Sequence, residues 1–287
     1  MSFTKRRIDI TIELGGSGTF GDALGSTVTL SGLRVQANIA AHGGNVQGVL
    51  QLRIYGLPLS MMNRLMRIGT IGNQGPINSI LVAAGDVGGA LAVVYKGTMA
   101  QAWADFQSAP EVVLNVIAFS AFNAAVTPVG ARSYIGSVDA ANVMADLAKA
   151  MGLTFENNGV SVMLSNPYFP GTALAQSDAC AQAAGIRYTI DRGVLAIWPK
   201  NGVRTGETVL VSPETGMVGY PVFSDTGIVV DSMFISSIKN GAQVKVVSSI
   251  TPACGLWNVR GVVHTLESES PDGAWFTQLA CGMPTNR

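Results

Sequence analysis

A two-residue alternation of apolar and polar side chains constrains this chain more than any other feature. Ile8, Ile10, Ile12 and Leu14 are apolar, and Asp9, Thr11 and Glu13 stand between them. Side chains along a strand point to opposite faces in turn, so this period predicts a half-buried strand. The pattern returns at Val28 and Leu30, and again at Val35, Ala37 and Ile39. It continues at Leu50, Leu52 and Ile54, then through "SILVAA", "GALAVVYKG" and "EVVLNVIAF". The run "TMAQAWADF" fits neither the strand nor the helix period cleanly.

The first strand runs into Gly16, Gly18 and Gly21, which spell G-x-G-x-x-G. A dinucleotide site needs a helix to start at these glycines and an acidic residue about 20 positions on. Here Gly25 interrupts the following segment and strand alternation resumes. The stretch from Leu33 to Ala41 carries no carboxylate. The glycines therefore predict a hairpin between two strands, and no cofactor is expected.

One helix is predicted over "PLSMMNRLMRIG", with Leu59, Met62, Leu65 and Met66 on one stripe, Ser60 as cap and Gly69 as stop. Residues 126–204 differ in character. "VDAANVMADLAKAMGLTFENNGVSVML" gives helix, glycine, strand, Asn-Gly turn, strand, and "ALAQSDACAQAAGIRYTIDRGVLAIWP" repeats that order. Ser137 is the expected cap of the first of these helices, and Val143, Leu147 and Met151 share its face. Strands return over 205–287, with an Asn-Gly turn in "IKNGAQVKVV" and a hairpin turn in "SPDGA". "TPVGARS" and "PKNGVRTG" carry the Pro and Gly of module boundaries. The predicted organisation is mainly β with an α/β insertion: domains over 1–125, 126–204 and 205–287, the middle one built from two αββ units.

Composition sharpens the picture. Of 287 residues, 48% are hydrophobic and only 13% are charged, against roughly 25% in ordinary soluble domains. A membrane span would explain this, but the longest candidate, the uncharged run Val112 to Ala131, contains Asn115, Asn123, Pro128 and Gly130. The basic start "MSFTKRRIDI" leads into no signal-type apolar core, which predicts synthesis in the cytosol. Burial against partners is the remaining explanation. Net charge is zero without a basic stripe, so no specific nucleic-acid binding is expected.

Candidate chemistry is sparse. Cys180, Cys254 and Cys281 are widely spaced and are expected as free thiols; nothing supports a Cys254–Cys281 pair. His42 and His264 lack metal-ligand spacing, and "GDVGG" lacks the Lys and Ser/Thr of a phosphate loop. No G-x-S-x-G elbow is present. Glu267 and Glu269, near Asp272, would share a strand face about 7 Å apart, a separation an acid/base pair could use on a glycan. The alternative for them is a solvated hairpin end. Trp257 and Trp275 could stack on sugars, but their strand contexts favour core packing. No catalytic, cofactor-binding or metal residue is assigned.

The C-terminal segment "GYPVFSDTGIVVDSMF", with "IKNGAQVKVVSSITPACGLWNVRGVVHTLESESPDGAWFTQLAC", resembles the baseplate hub proteins of contractile-tailed bacteriophages. Upstream, "LRIYGLPLSMMNRLM" and "VVYKGTMAQAWADFQSAPEVVLNVIAFSA" are similar to the N-terminal barrel of the same hubs. The resemblance implies two tail-tube-like β-barrels flanking the α/β module, and a structural role without catalysis. It also implies a homotrimer, whose six barrels form a ring between the sixfold tail tube and the threefold central spike. Its implied partners are the tail tube protein, the spike protein, neighbouring baseplate proteins and, in the channel, the tape-measure protein or DNA. The implied location is the virion tail baseplate.

Overall fold

The computed structural model describes residues 5–20, 25–44, 46–66, 77–107 and 109–283. The first part contains strands β1 (Arg6–Glu13), β2 (Thr27–Leu30), β3 (Val35–Ala41) and β4 (Val49–Tyr55), then helix α1 (Leu59–Leu65). β5 (Ser79–Asp86), β6 (Ala92–Asp105), β7 (Val113–Phe119) and α2 (Phe122–Val126) follow. The middle part holds β8 (Arg132–Ser133), β9 (Ser137–Asp139), α3 (Ala140–Ala150), β10 (Thr154–Asn157), β11 (Met163–Ser165) and β12 (Tyr168–Phe169). It ends with α4 (Ala173–Ala184), β13 (Ile186–Asp191) and β14 (Val194–Pro199). The last part comprises β15 (Val209–Val211), β16 (Met217–Ser224), β17 (Gly227–Met233), β18 (Gln243–Val246), β19 (Gly255–Ser268) and β20 (Trp275–Gly282).

Two compact units emerge. The first is Met1–Ala40, Val49–Phe122 and His264–Phe276; the second is Ala41–Gly48, Asn123–Val263 and Thr277–Arg287. In the first unit the strands run in the order β3-β4-β7-β6-β5-β1-β2, all antiparallel, and the end of β19 lies beside β3. The alternation seen in sequence becomes one buried face. Ile8, Ile10, Ile12, Ile80, Val82, Leu50, Leu52 and Ile54 are all buried, as are Met62 and Leu65 of α1. β1 and β2 form the expected hairpin, with Ile10 opposite Leu30; Gly21 lies outside the described residues.

The ambiguous run is the second half of the 14-residue β6. Register shifts fall between Val82 and Ala83 in its pairing with β5, and between Met99 and Gln101 in its pairing with β7. Each shift puts two consecutive residues, Val94–Tyr95 and Met99–Ala100, into the interior. A bulge breaks period two in this way without ending the strand. The α1 cap is corrected: Pro58 occupies the N-cap with no side-chain bond, and Ser60 lies inside the helix. Gly69, the expected stop, is outside the described residues.

In the second unit, α3 and α4 pack together and share a core with a three-stranded sheet, β10-β14-β13. Val143, Met144 and Leu147 supply the α3 face. Its cap is Asp139, which accepts from the Ala141 amide at 2.9 Å; Ser137 sits in β9 instead. Both helices stop at glycines of positive φ, Gly152 at 69° and Gly185 at 62°, as the internal repeat requires. The repeat holds at the helices and diverges at the strands. β13 and β14 form a hairpin whose loop, Arg192–Gly193, has φ of 52° and 79°, the type I′ geometry. The equivalent turn at Asn158–Gly159 is tied by the Asn157 side chain, which bonds Val160 from both ends at 2.8 and 2.9 Å. The chain then leaves: β10 runs parallel to β14, and β11 pairs with β9.

The remaining strands of this unit run β16-β17-β20-β19, with β18 beside β19 and β15 beside β18. Val211, Ile228, Val230, Val244, Val246, Trp257 and Leu279 fill their core. An ion pair joins β10 to the segment before β15. Arg204 donates to both Glu156 carboxylate oxygens, at 2.7 and 2.8 Å. The Arg204 side chain is 2% exposed and that of Glu156 is 32% exposed.

Candidate functional site

The acidic hairpin end does not assemble as an acid/base pair. β19 ends at Ser268, and Glu269 has φ of 52°, so Glu267 and Glu269 do not stand at strand spacing on one face. Glu269 pairs with Lys5 at 2.7 Å. Glu267 accepts from Gln36 at 3.4 Å, and its amide donates to Ala274 at 2.7 Å. Asp272 takes φ of 52° in the turn. The Glu267 and Glu269 carboxylates thus bond two different partners at a hairpin end.

The other candidate residues are placed as follows. His264 is buried within β19, and the His42 carbonyl accepts from Thr189 at 2.8 Å. Trp257 is buried and donates from Nε1 to Ala253 at 2.9 Å. Trp275 is buried with the Arg6 guanidinium 5.5 Å from its ring centre. Neither indole offers a face to a sugar. The three thiols are free; burial pushes those of Cys180 and Cys281 up to about 12, and Cys254 is exposed. Among the described residues no group of three or more His, Cys, Asp or Glu could hold a metal ion. No described helix is long and apolar enough to cross a membrane.

Two outward sheet faces remain, and they have opposite chemistry. In the first unit, Gln36 and Asn38 of β3, Gln51 and Arg53 of β4 and Asn115 of β7 line a shallow depression of about 360 Å³. Arg53 stands between Gln36 and Asn115 in register, and Gln51 lies opposite Asn38. Two of these groups bond residues of neighbouring strands: Asn38 donates to Thr265 at 3.3 Å, and the Tyr55 hydroxyl donates to Gln36 at 3.4 Å.

The second unit presents an apolar face on β16. Val218, Tyr220 and Val222 are 42%, 67% and 63% exposed, while Met217 before them and Pro221 among them are buried. Val222 lies opposite Val229 of β17. Among the described residues β16 pairs only with β17, so it is an edge. The register shifts between Val218 and Val222, where Gly219 has φ of 68° and Pro221 removes a donor. Sequence reasoning did not single out this face. Its signal was Pro221, which marks an edge strand inside an otherwise apolar run.

A family model described as "Baseplate hub gp41" matches residues 7–280. Among solved structures, the chain is similar to a tail protein from Neisseria meningitidis, with TM-score 0.62, 9% identity and 96% of each chain covered. It is similar to a 43 kDa prophage MuSo2 tail protein from Shewanella oneidensis, with TM-score 0.61 and 10% identity, over 96% of this chain and 97% of that one. It is also similar to an E. coli type VI secretion component described as resembling T4 bacteriophage tail proteins gp27 and gp5. That match has TM-score 0.59 and 10% identity, over 88% of this chain and 74% of the other. At these identities the likeness establishes the fold, which is that of phage tail proteins. No curated protein sequence matches the chain.

Proposed function

The chain belongs to the baseplate hub gp41 family, and from that premise we propose that three copies form a ring joining a sixfold tail tube to a threefold central spike. In this reading the segments 1–125 and 205–287 supply the two tube-like barrels per chain, and 126–204 is the small α/β module. Three chains then present six barrels, so one closed ring can match both axes. The ring holds tube and spike together and passes force to the spike on contraction. Neighbouring baseplate proteins and the tape-measure protein complete the set of partners. The protein is made in the host bacterial cytoplasm and ends in the virion tail baseplate.

The observation that carries this reading is the exposed apolar face of edge strand β16. A strand with Val218, Tyr220 and Val222 turned outward is an aggregation hazard unless a partner covers it. It also fits a chain with only 13% charged residues. No catalytic residue is part of the proposal, which assigns the protein a mechanical role.

Light-scattering mass of the purified chain, alone and mixed with its spike protein, tests it. A mass three times that of the chain, seen as a ring by negative stain and reduced to monomer by Tyr220→Asp with Val222→Asp, is the expected result. A monomer at every concentration, both alone and with the spike protein, would overturn the ring.

A further inference from the structure

The second unit contains a cleft of about 510 Å³ that none of the preceding roles uses. Three cations line it: Arg187 at the start of β13, Lys200 just after β14, and Arg260 in β19. One carboxylate, Asp178 on α4, also lines it and already accepts from Gln182 at 2.7 Å. Among the described residues no carboxylate forms an ion pair with Arg187, Lys200 or Arg260.

The backbone positions two of these cations. Arg187 Nε donates to the Lys200 carbonyl at 3.0 Å, leaving its terminal nitrogens for a ligand. Arg260 lies against Gly282 so closely that a Cβ there would collide with the guanidinium. Gly241 admits the Trp198 ring in the same way, and Gly43 and Gly44 form part of the rim. Arg187 and Arg260 are near enough to repel. The pKa of Arg187 is pulled down, first by burial and then by the charge of Arg260. The C-terminal end of α4 offsets part of this positive potential, but the Gly185 amide caps the Ala181 and Gln182 carbonyls there.

We propose that this cleft is a docking site for an acidic polypeptide segment of a partner protein, with Arg187 and Arg260 gripping one of its carboxylates. A guanidinium fork matches a carboxylate in two parallel bonds, and an anion between two repelling guanidiniums relieves the repulsion. Peptide fits better than nucleic acid. A nucleic acid backbone needs a row of cations along its length, whereas this site has a local excess of two on a chain of zero net charge. The volume falls within the roughly 300–1,000 Å³ of ligand pockets, enough for a few side chains. The site does not depend on ring formation, since all its residues belong to one unit of one chain.

Calorimetric titration of the full chain with an N-acetylated hexaglutamate tests the site, with inorganic phosphate and oligo(dT) titrated in parallel. Hexaglutamate should bind at low salt and more weakly at physiological salt. Arg187→Gln with Arg260→Gln should weaken it roughly tenfold or more, the loss that follows removal of a charge-assisted hydrogen bond. Gly282→Ala, which keeps every charge but displaces Arg260, should weaken it in the same direction with the circular dichroism spectrum unchanged. Three results would overturn the proposal: no hexaglutamate binding, binding undiminished in the double variant, or binding of phosphate or oligo(dT) but not of the peptide.

Discussion

The two units handle polar groups in opposite ways. The first turns amides outward and bonds them loosely, at 3.3 to 3.4 Å, to a carboxylate and two hydroxyls of neighbouring strands. The second buries a guanidinium against a carboxylate at 2.7 and 2.8 Å and turns valine and tyrosine outward. The amide face makes cross-strand bonds at Gln36 and Asn38, and polar groups of this kind can stay in contact with solvent. The apolar face gains only when something covers it. One sheet architecture therefore yields a surface that can stay wet and a surface that calls for a partner, and the choice rests on which residues occupy the outward positions.

The largest expected effect lies at the buried pair. Glu156→Ala leaves the Arg204 guanidinium, 2% exposed, without its counter-charge. Breaking such a pair costs about 3–5 kcal/mol; the low end applies here because Glu156 is itself a third exposed. Urea unfolding should report the loss as a lower midpoint at unchanged slope. The pair also sets an acid limb. Hydrogen bonding from Arg204 lowers the Glu156 pKa below its ordinary value of 4.5, with burial opposing. Its stabilisation is therefore complete above about pH 4.5 and is lost as pH falls through the folded-state value. In Glu156→Gln that part of the acid dependence should disappear. An acid limb unchanged in Glu156→Gln would show that the pair does not set it.

The next effect separates folding from association. Tyr220→Ala removes a side chain that is 67% exposed, so the stability of the isolated subunit should change by less than about 0.5 kcal/mol. Association should weaken by about 2 kcal/mol, as for an aromatic anchor at an interface centre. Sedimentation equilibrium measures the second quantity and denaturant unfolding the first. If folding rather than association loses the energy, β16 is a core strand of the monomer and the contrast between the faces fails.

Much of this contrast was out of reach of sequence, for physical reasons. The inward residues were legible because Ile8, Ile10, Ile12 and their neighbours alternate with polar ones, and alternation fixes a face. Helix α3 was legible from its Val143–Leu147 stripe, α4 from repeating the same order of elements, and both stops because a left-handed cap favours glycine. The caps were misplaced at Ser60 and Ser137 because residue type alone does not say where the backbone turns; Pro58 and Asp139 occupy those positions. Glu267 and Glu269 looked like a strand pair because the positive φ of Glu269 is not written in its side chain. β16 was hardest: Val218, Tyr220 and Val222 are apolar like the residues between them, so nothing in the run said which side met water. The family likeness came from combined short motifs, and no single residue carried it.

The smallest expected effect checks the wet face. Asn38 donates to Thr265 at 3.3 Å from an exposed position, and Gln36 donates to Glu267 at the same rim. Water replaces such a bond when one partner is removed, so Asn38→Ala should cost less than about 0.5 kcal/mol. Asn38→Leu is the sharper variant. It adds one apolar side chain beside Gln36, Gln51 and Arg53 to a face that already exposes Trp103, and a patch of that size is ordinary on a monomer surface. Both variants should therefore keep wild-type mass in light scattering and wild-type midpoints in urea. A loss of more than about 1 kcal/mol in Asn38→Ala would mean that the Asn38–Thr265 bond is sheltered from water when the protein is folded. The amide face would then be covered like the apolar one, and the difference between the two units would lie only in what covers them.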